Sequence, residues 1–493
     1  MDAENEQKVI RLLTNKFNRW WTGVVIDTPL FKRSDFQYIY SLVKEQKSMT
    51  LVGPRQVGKT TILMQIIKEL LLNGIPSVRI CYADMGDIEL LLTCPNPLYN
   101  VLDVYRKYIL QEDFISLNSA VYLFFDEVQR DPAWAETTKS FVDHYPHLHL
   151  FCTGSSSMNV SQRCKETLPG RSYLQVMLPL KFVDVLRMRY LENSQKINAE
   201  QLRAFGKEMR NWFVSALSTD SLENFVKKCI GNSTFFISQE SEIQAALDFF
   251  LSRGGYPGVV LKENTGEAQR LLISYANDVL AKDLAVSGGL RNIDLAEKIL
   301  YLLAATSGTE LNKQGLIKRI PGSNFLTVNK YISFFRELSL INEIPIYSGS
   351  RMGSTKYPKL YFQDVGLRNA LCGLLDAPFS DTDRGLLAET IACDHIERLS
   401  FKLNNQSRGH VYCYRDLKEK NTGGETDFIL KIPSLKREIP IESKFRRNIH
   451  HSSTMYEFLS DHKQPYGIIL TRDTLKYDEN TAFVPLWMFA LMC

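Results

Sequence analysis

Gly53-Pro54-Arg55-Gln56-Val57-Gly58-Lys59-Thr60 fits the pattern GxxxxGK[ST], and its flanks decide how the chain folds. An apolar run at residues 49–52 precedes it, and an amphipathic stretch at residues 61–72 follows. Strand, glycine-rich turn and helix in that order make a phosphate-binding loop. Glycines let backbone N–H groups turn inward around an anion with no Cβ in the way. The start of the helix adds unpaired donors and the positive end of its dipole. Lys59 then reaches the β- and γ-phosphates as a point charge, and the Thr60 hydroxyl is set to hold magnesium. The expected ligand is ATP with Mg2+, contacted from Gly53 through Thr61.

Working outward, Val121-Tyr122-Leu123-Phe124-Phe125 ends in the acidic pair Asp126-Glu127. Ionised carboxylates at the end of a buried strand need a partner. Magnesium supplies one for Asp126, and Glu127 is placed to polarise the attacking water as general base. A further strand, residues 148–152, runs into Thr153-Gly154-Ser155. Thr153 and Ser155 are the polar residues expected near the γ-phosphate. Pro169-Gly170-Arg171 follows. Arg171 is the candidate for charge stabilisation in the transition state, with action in cis, in trans or as a plain salt bridge left open.

Length and composition bound the rest. A chain of 493 residues suggests roughly three domains. Its 44% hydrophobic and 23% charged residues are ordinary globular values, enough for sizeable cores. A net charge of +4 is too small to argue for nucleic acid by itself. The nine cysteines form no CxxC pair, which fits reduced thiols rather than a disulfide framework or a zinc site. The start of the chain is acidic and polar, unlike a signal peptide, and no run approaches eighteen apolar residues. A cytoplasmic location without a membrane span is expected.

Short apolar runs alternate with helical stretches from about 48 to 190, at residues 49–52, 78–82, 121–125, 148–152 and 173–177. That alternation reads as α/β with a buried, largely parallel sheet. The expected division is a helical lead over 1–33, an ATPase core over 34–182, a helical lid over 183–290, a winged-helix-like part over 291–365 and a mixed α/β part over 366–493. Polar loops are expected near 194–200 and 231–242, and a turn at Gly254-Gly255-Tyr256-Pro257-Gly258.

Residues 295–305, 312–320 and 324–338 give three helical patterns, the last with Phe325, Val328, Ile332, Phe335 and Leu338 on one face. Extended residues 341–347, a Gly/Ser loop over 348–355 and a strand to Phe362 complete the order of a winged helix. Were the third helix to read DNA, it would present Asn324, Thr327, Asn329 and Lys330. That helix is poor in basic residues, which leaves a protein contact open as its role.

Near the end, Glu425-Thr426-Asp427-Phe428 and Ile439-Pro440-Ile441-Glu442-Ser443-Lys444 lie in successive extended runs. Asp427, Glu442 and Lys444 stand in a D…ExK order. Such a set can hold a divalent metal between two carboxylates, the lysine assisting a nucleophilic water. Glu389, on a helix opened by Gly385, is a further acid for it. The bare pattern is weak, since ExK recurs at Glu6–Lys8 and Glu45–Lys47. The basic stretch Lys444-Phe445-Arg446-Arg447 to His450-His451 follows and would face phosphates.

Taken in order, the loop at 53–61, Phe125-Asp126-Glu127-Val128-Gln129, residues 152–157, Leu168-Pro169-Gly170-Arg171, Gly254–Gly258, the run from Lys359 to Arg368, residues 385–389, 425–428 and 439–444 resemble prokaryotic AAA+-like P-loop ATPases with a C-terminal domain of unknown function. The resemblance spans nearly the whole chain. It implies an ATPase core, a helical lid, a winged helix and a restriction-endonuclease-like C-terminal fold. Thr426 and Ser443 stand where valine is usual, and Pro169 where a small residue is usual. Three readings of function follow. One is an ATP-driven switch whose C-terminal module acts on nucleic acid. The others are an ATP-regulated, metal-dependent nuclease and a nucleotide-binding scaffold for partner proteins. ATP is the expected partner, with DNA and further copies of the chain left open.

Overall fold

Five runs rich in β-branched and aromatic residues form the first sheet: β1 Ser48–Gly53, β2 Ile80–Asp84, β3 Val121–Asp126, β4 Leu148–Ser155 and β5 Tyr173–Val176. In the computed structural model they are all parallel, in the order β2-β3-β4-β1-β5. The structure describes residues 1–155, 158–190, 197–284, 290, 292–347, 354–375, 379–415, 424–446 and 453–493. The chain divides into two units. Unit 1 comprises residues 1–178, 281–291 and 337–339, and unit 2 the remainder.

The sheet of unit 1 is buried along β1 and β3, as the unbroken apolar runs require. The helix Lys59–Leu72 buries Ile62, Leu63, Ile66, Ile67 and Leu70. One boundary differs from expectation. Residues 77–79 form a 3-10 turn, and β2 runs on to Asp84. Its register with β3, Ile80↔Tyr122 through Asp84↔Asp126, brings the two acidic strand ends level. The phosphate-loop strand β1 does not touch β3, because β4 lies between them.

The loop sits hard against the start of the chain beyond β5. Met177 donates its N–H to the Val52 carbonyl at 2.7 Å. A Cβ added at Gly53 would lie 2.0 Å from the Met177 carbonyl oxygen. Gly53→Ala should therefore force a backbone shift and lower stability by about 1–3 kcal/mol, as overpacking does. Denaturant melts compare it with wild type, and an unchanged midpoint would show that this approach is not so close.

Unit 2 begins with helices Phe182–Arg189, Ala199–Ala216, Glu223–Ser233, Glu240–Arg253 and Thr265–Asp278. The expected loop at 231–242 is instead helical, with a 3-10 segment Thr234–Gln239 joining two helices. Its polar composition hides Phe236, which is buried and packs on Phe205. The other expected loop is shorter, since Asn198 caps a helix that starts at Ala199, and residues 194–196 lie outside the described residues.

Helices Ile293–Ala305, Lys313–Arg319 and Phe325–Glu337 follow. The strands are β6 Thr309–Glu310, β7 Ile341–Ile346, β8 Ser354–Phe362, β9 Val411–Arg415, β10 Glu425–Ile432, β11 Arg437–Lys444, β12 Gly467–Thr471, β13 Lys476–Asp478 and β14 Thr481–Pro485. They form one sheet ordered β13-β14-β12-β11-β10-β9-β7-β8-β6, joined at its middle by the pairing of Ile346 with Cys413. The Gly/Ser segment at 348–353 lies outside the described residues. Phe325, read on one helix face with Val328, Ile332, Phe335 and Leu338, is 51% exposed while those four are buried. The helix Asp381–Leu403 opens four residues before Gly385, because Ser380 and Asp383 form a reciprocal capping box. All nine cysteines are free thiols, so no disulfide supports the fold. Among the described residues no helix is long and apolar enough to cross a membrane.

Candidate functional site

The phosphate loop takes the strained shape its glycines permit. Gly58 has φ +94° and Gln56 φ +63°, both left-handed. Lys59 is 6% exposed, and its ammonium donates to the carbonyls of Gly53 at 2.9 Å and Pro54 at 2.8 Å. Burial lowers its pKa, against the pull of Glu127 and Asp126. Val57 is buried while Gln56, Thr60 and Thr61 are exposed at the mouth of the loop. Arg33, from the start of the chain, holds the loop from behind through the carbonyls of Val57 at 3.4 Å and Leu178 at 2.9 Å.

Topology brings Asp126 to the loop across β4. The Thr60 hydroxyl donates to Asp126 Oδ2 at 2.5 Å. Thr153, wholly buried on β4, donates its hydroxyl to Asp126 Oδ1, and Tyr82 on β2 approaches Oδ2 at 3.4 Å. One carboxylate thus gathers groups from the loop, β2 and β4. The donor set fits magnesium: a hydroxyl and a carboxylate, both oxygen ligands, beside a cradle of backbone N–H groups. Glu127 sits just past the strand in a left-handed conformation, φ +51°, which turns its side chain off the strand line. Its N–H faces Asp126 Oδ1 at 3.1 Å, and the Gln129 amide donates to its carboxylate. The side chain of Ser155 and residues 156–157 lie outside the described residues.

Two acids near this site were not singled out from the sequence. Asp84, level with Asp126, has its pKa pushed up to about 6 by burial and by the charges of Asp126 and Glu127, against the Gly86 N–H. Its place at the end of an apolar run was the available signal. Asp283 grips Arg55 of the loop, and nothing local in the sequence marks it.

Arg171 is a correction. It precedes β5, whose first residue Tyr173 pairs with Met49, four residues before Gly53. At about 3.3 Å per residue, that places it roughly 13 Å along the sheet from the loop, at the opposite edge. There it pairs with Asp143 at 2.6 Å, both side chains about a third exposed. It is not a catalytic group of its own chain's phosphate site.

In unit 2, β10 and β11 pair antiparallel, Phe428 opposite Ile441, a register that sets Asp427 opposite Glu442, and the Ser443 N–H donates to Asp427 at 2.8 Å. Glu442 is buried and pairs with Lys444 at 3.0 Å. Glu389 comes from the helix Asp381–Leu403 and lies close enough to Asp427 to feel its charge. It accepts from the Tyr361 hydroxyl at 2.5 Å and pairs with Lys359 at 3.2 Å. Lys359 on β8 also reaches Glu425 at 2.6 Å and Asp427 at 3.7 Å. Its pKa is raised because those three carboxylates outweigh the effect of burial. Burial and the charge of Asp427 push Glu389 up to about 7. The expected residues Asp427, Glu442, Lys444 and Glu389 are thus neighbours, but their acids are held by lysines: one that sequence reasoning left without a role, Lys359, pairs with both Glu389 and Asp427, and Lys444 pairs with Glu442. Among the described residues no group of three or more His, Cys, Asp or Glu is arranged to hold a metal ion. Residues 447–451 of the basic stretch lie outside the described residues.

Residues 45–186 match a family model described as an AAA domain, and residues 244–377 match a domain of unknown function. An uncharacterized protein of Methanocaldococcus jannaschii is 22% identical over 389 residues, covering 78% of this chain and 72% of that one. One from Haemophilus influenzae is 21% identical over 460 residues, 92% of each chain. Among solved structures, the Walker-type ATPase of Pyrococcus abyssi has a TM-score of 0.39 at 15% identity, covering 70% of this chain and 96% of that one. The Aeropyrum pernix ORC1 protein in complex with DNA has a TM-score of 0.28 at 11% identity, covering 70% and 94%. With its glycine loop, acidic strand end and parallel five-stranded sheet, the stretch over residues 45–186 is an AAA domain of the P-loop ATPase type.

Proposed function

We propose that this chain binds ATP with magnesium, hydrolyses it, and uses the nucleotide state to govern a second unit that binds nucleic acid. The contact between Thr60 and Asp126 carries the first part. A loop hydroxyl and a buried carboxylate, 66 residues apart, meet where one cation would be shared. Lys59 and the loop N–H groups would hold the phosphates, and Glu127, steadied by Gln129, would take a proton from water. Magnesium would supply charge neutralisation between the β- and γ-phosphates.

Nucleic acid is supported by charge. The helices Lys313–Arg319 and Phe325–Glu337, followed by the pair β7–β8, have the order of a winged helix. Residues 311–336 contain Lys313, Lys318, Arg319, Lys330 and Arg336 and no acid. Lys318, Arg319 and Lys330 are exposed. Asn324 is less free for base contact than expected, since its side chain caps its own helix at Thr327. Replacing both Lys318 and Arg319 with alanine should weaken duplex binding and lower the slope of log affinity against log salt by about 2. Fluorescence anisotropy over a salt series measures it, and no duplex binding by the wild type sinks the reading.

Phe325 and Leu326, 51% and 73% exposed at the start of the third helix, favour a second reading in which this face meets a protein. Duplex affinity unchanged by Phe325→Ala would separate the two surfaces. A metal-dependent nuclease is not supported. Lys359 already stands among Glu389, Glu425 and Asp427, and Lys444 neutralises Glu442, so these residues do not fit a metal and no cleavage step is assigned. A cytoplasmic location accords with this reading.

A further inference from the structure

Arg55, inside the phosphate loop, donates from Nε to Asp283 Oδ2 at 2.7 Å and from Nη2 to Oδ1 at 2.9 Å. The pair is a two-pronged fork of the strong, directional kind. It is also desolvated, with side chains 15% and 2% exposed. A carboxylate so buried needs its cation, and removing one partner is far costlier than at a surface pair. The charges of both groups act on the Lys59 ammonium, behind the larger effects of burial, Glu127 and Asp126.

Asp283 has an unusual place in the chain. Residues 179–280 and 292–336 belong to unit 2, while 281–291 belong to unit 1. The chain makes a short excursion back into the ATPase unit, and Asp283 lies on it. Both ends of the excursion lead straight into unit 2. The loop arginine is therefore gripped by one of the two short segments of unit 1 whose covalent neighbours on either side are unit 2.

We propose that Asp283 is a positioning residue of the nucleotide site, fixing the phosphate loop through Arg55 and making nucleotide binding and the 281–284 segment depend on each other. This rests on the ATP-binding reading. It implies reciprocity: a segment that steadies the loop is itself steadied when the loop closes on phosphate.

The test uses the full chain and MgATP. Asp283→Asn should weaken binding by about tenfold, within the usual range of coupling between linked sites. Arg55→Met should do the same, and the double variant should be no worse than either single one, because each removes the same fork. An Asp283 that acts independently of Arg55 would instead give additive losses. In wild type, hydrogen exchange of amides 279–284 should slow on adding MgATP. That measurement decides the matter should Asp283→Asn fail to fold. Unchanged affinity in Asp283→Asn, additive losses in the cycle, or unchanged exchange overturns the proposal. Lys59→Ala separates the two readings: if it leaves MgATP affinity intact, the ATP-binding reading itself has failed. If it abolishes binding while Asp283→Asn has no effect, only the role of Asp283 has.

Discussion

Glu127→Gln is expected to keep MgATP bound while slowing phosphate release by about 10²–10⁴-fold, the usual worth of a positioned general base. The two halves of that result come from different parts of the site. Affinity resides in the loop N–H groups, Lys59 and the Thr60–Asp126 pair, none of which the substitution touches. Rate resides in a carboxylate that must accept a proton. Glutamine keeps the volume and can still meet the Gln129 amide, yet it cannot take the proton. A loss confined to turnover is the signature of an interaction made only in the transition state. Lys59→Ala should behave oppositely and lose binding first. Calorimetric affinity and single-turnover phosphate release, run on the same preparation, check both halves. Equal rates for wild type and Glu127→Gln would remove Glu127 from the chemistry and leave Asp84, the other acid at this end of the sheet, to be examined. Weakened binding with a normal rate would place Glu127 in the cradle instead.

What could be read from the sequence was what lies close along it. The strand, loop and helix from Ser48 to Leu72 form one local unit, and its residue types state their own chemistry. Asp126 and Thr153 were also legible, because each ends an apolar run and the ends of parallel strands gather at one edge. That same rule explains the misplacement of Arg171. In a parallel sheet every connection carries the chain back from the ligand edge to the starting edge. A residue just before β5 is therefore at the far end, however near it stands to Thr153 in the sequence. Polar composition misled at 231–242, where Phe236 finds a buried partner in Phe205. Asp283, Arg33 and Lys359 were illegible for a different reason. Each acts on residues far away in the chain, and only tertiary pairing brings them there. Lys359 belongs to a strand that reaches the β10 carboxylates through two intervening strands, β7 and β9, an arrangement no local pattern encodes.

Lys359→Met should destabilise the chain at neutral pH by about 3–5 kcal/mol, the cost of leaving buried charges without their partner. The size follows from burial. An exposed pair would be worth under about 1 kcal/mol, but Lys359 is 9% exposed, and Glu389 and Asp427 are 18% and 16% exposed. Methionine keeps the length of the side chain and removes the ammonium. Arg415, 3.6 Å from Glu425, can relieve one acid, which leaves Glu389 and Asp427 facing each other. Their repulsion fixes the pH dependence. Glu389 already sits at about 7, above its ordinary 4.5, although Lys359 pulls it down. Without that pull it rises further, so the folded variant holds a proton that the unfolded chain has released. Stability then falls as pH rises whenever the folded state binds more protons. The defect should therefore shrink between pH 7 and about pH 5, and Lys359→Arg, which keeps the charge, should show much less of it. Denaturant melts of the three proteins at pH 7 and pH 5 measure both effects. A Lys359→Met protein as stable as wild type at pH 7 would mean that the carboxylates do not depend on this lysine, and the case against a metal at Asp427 and Glu442 would lose its main support.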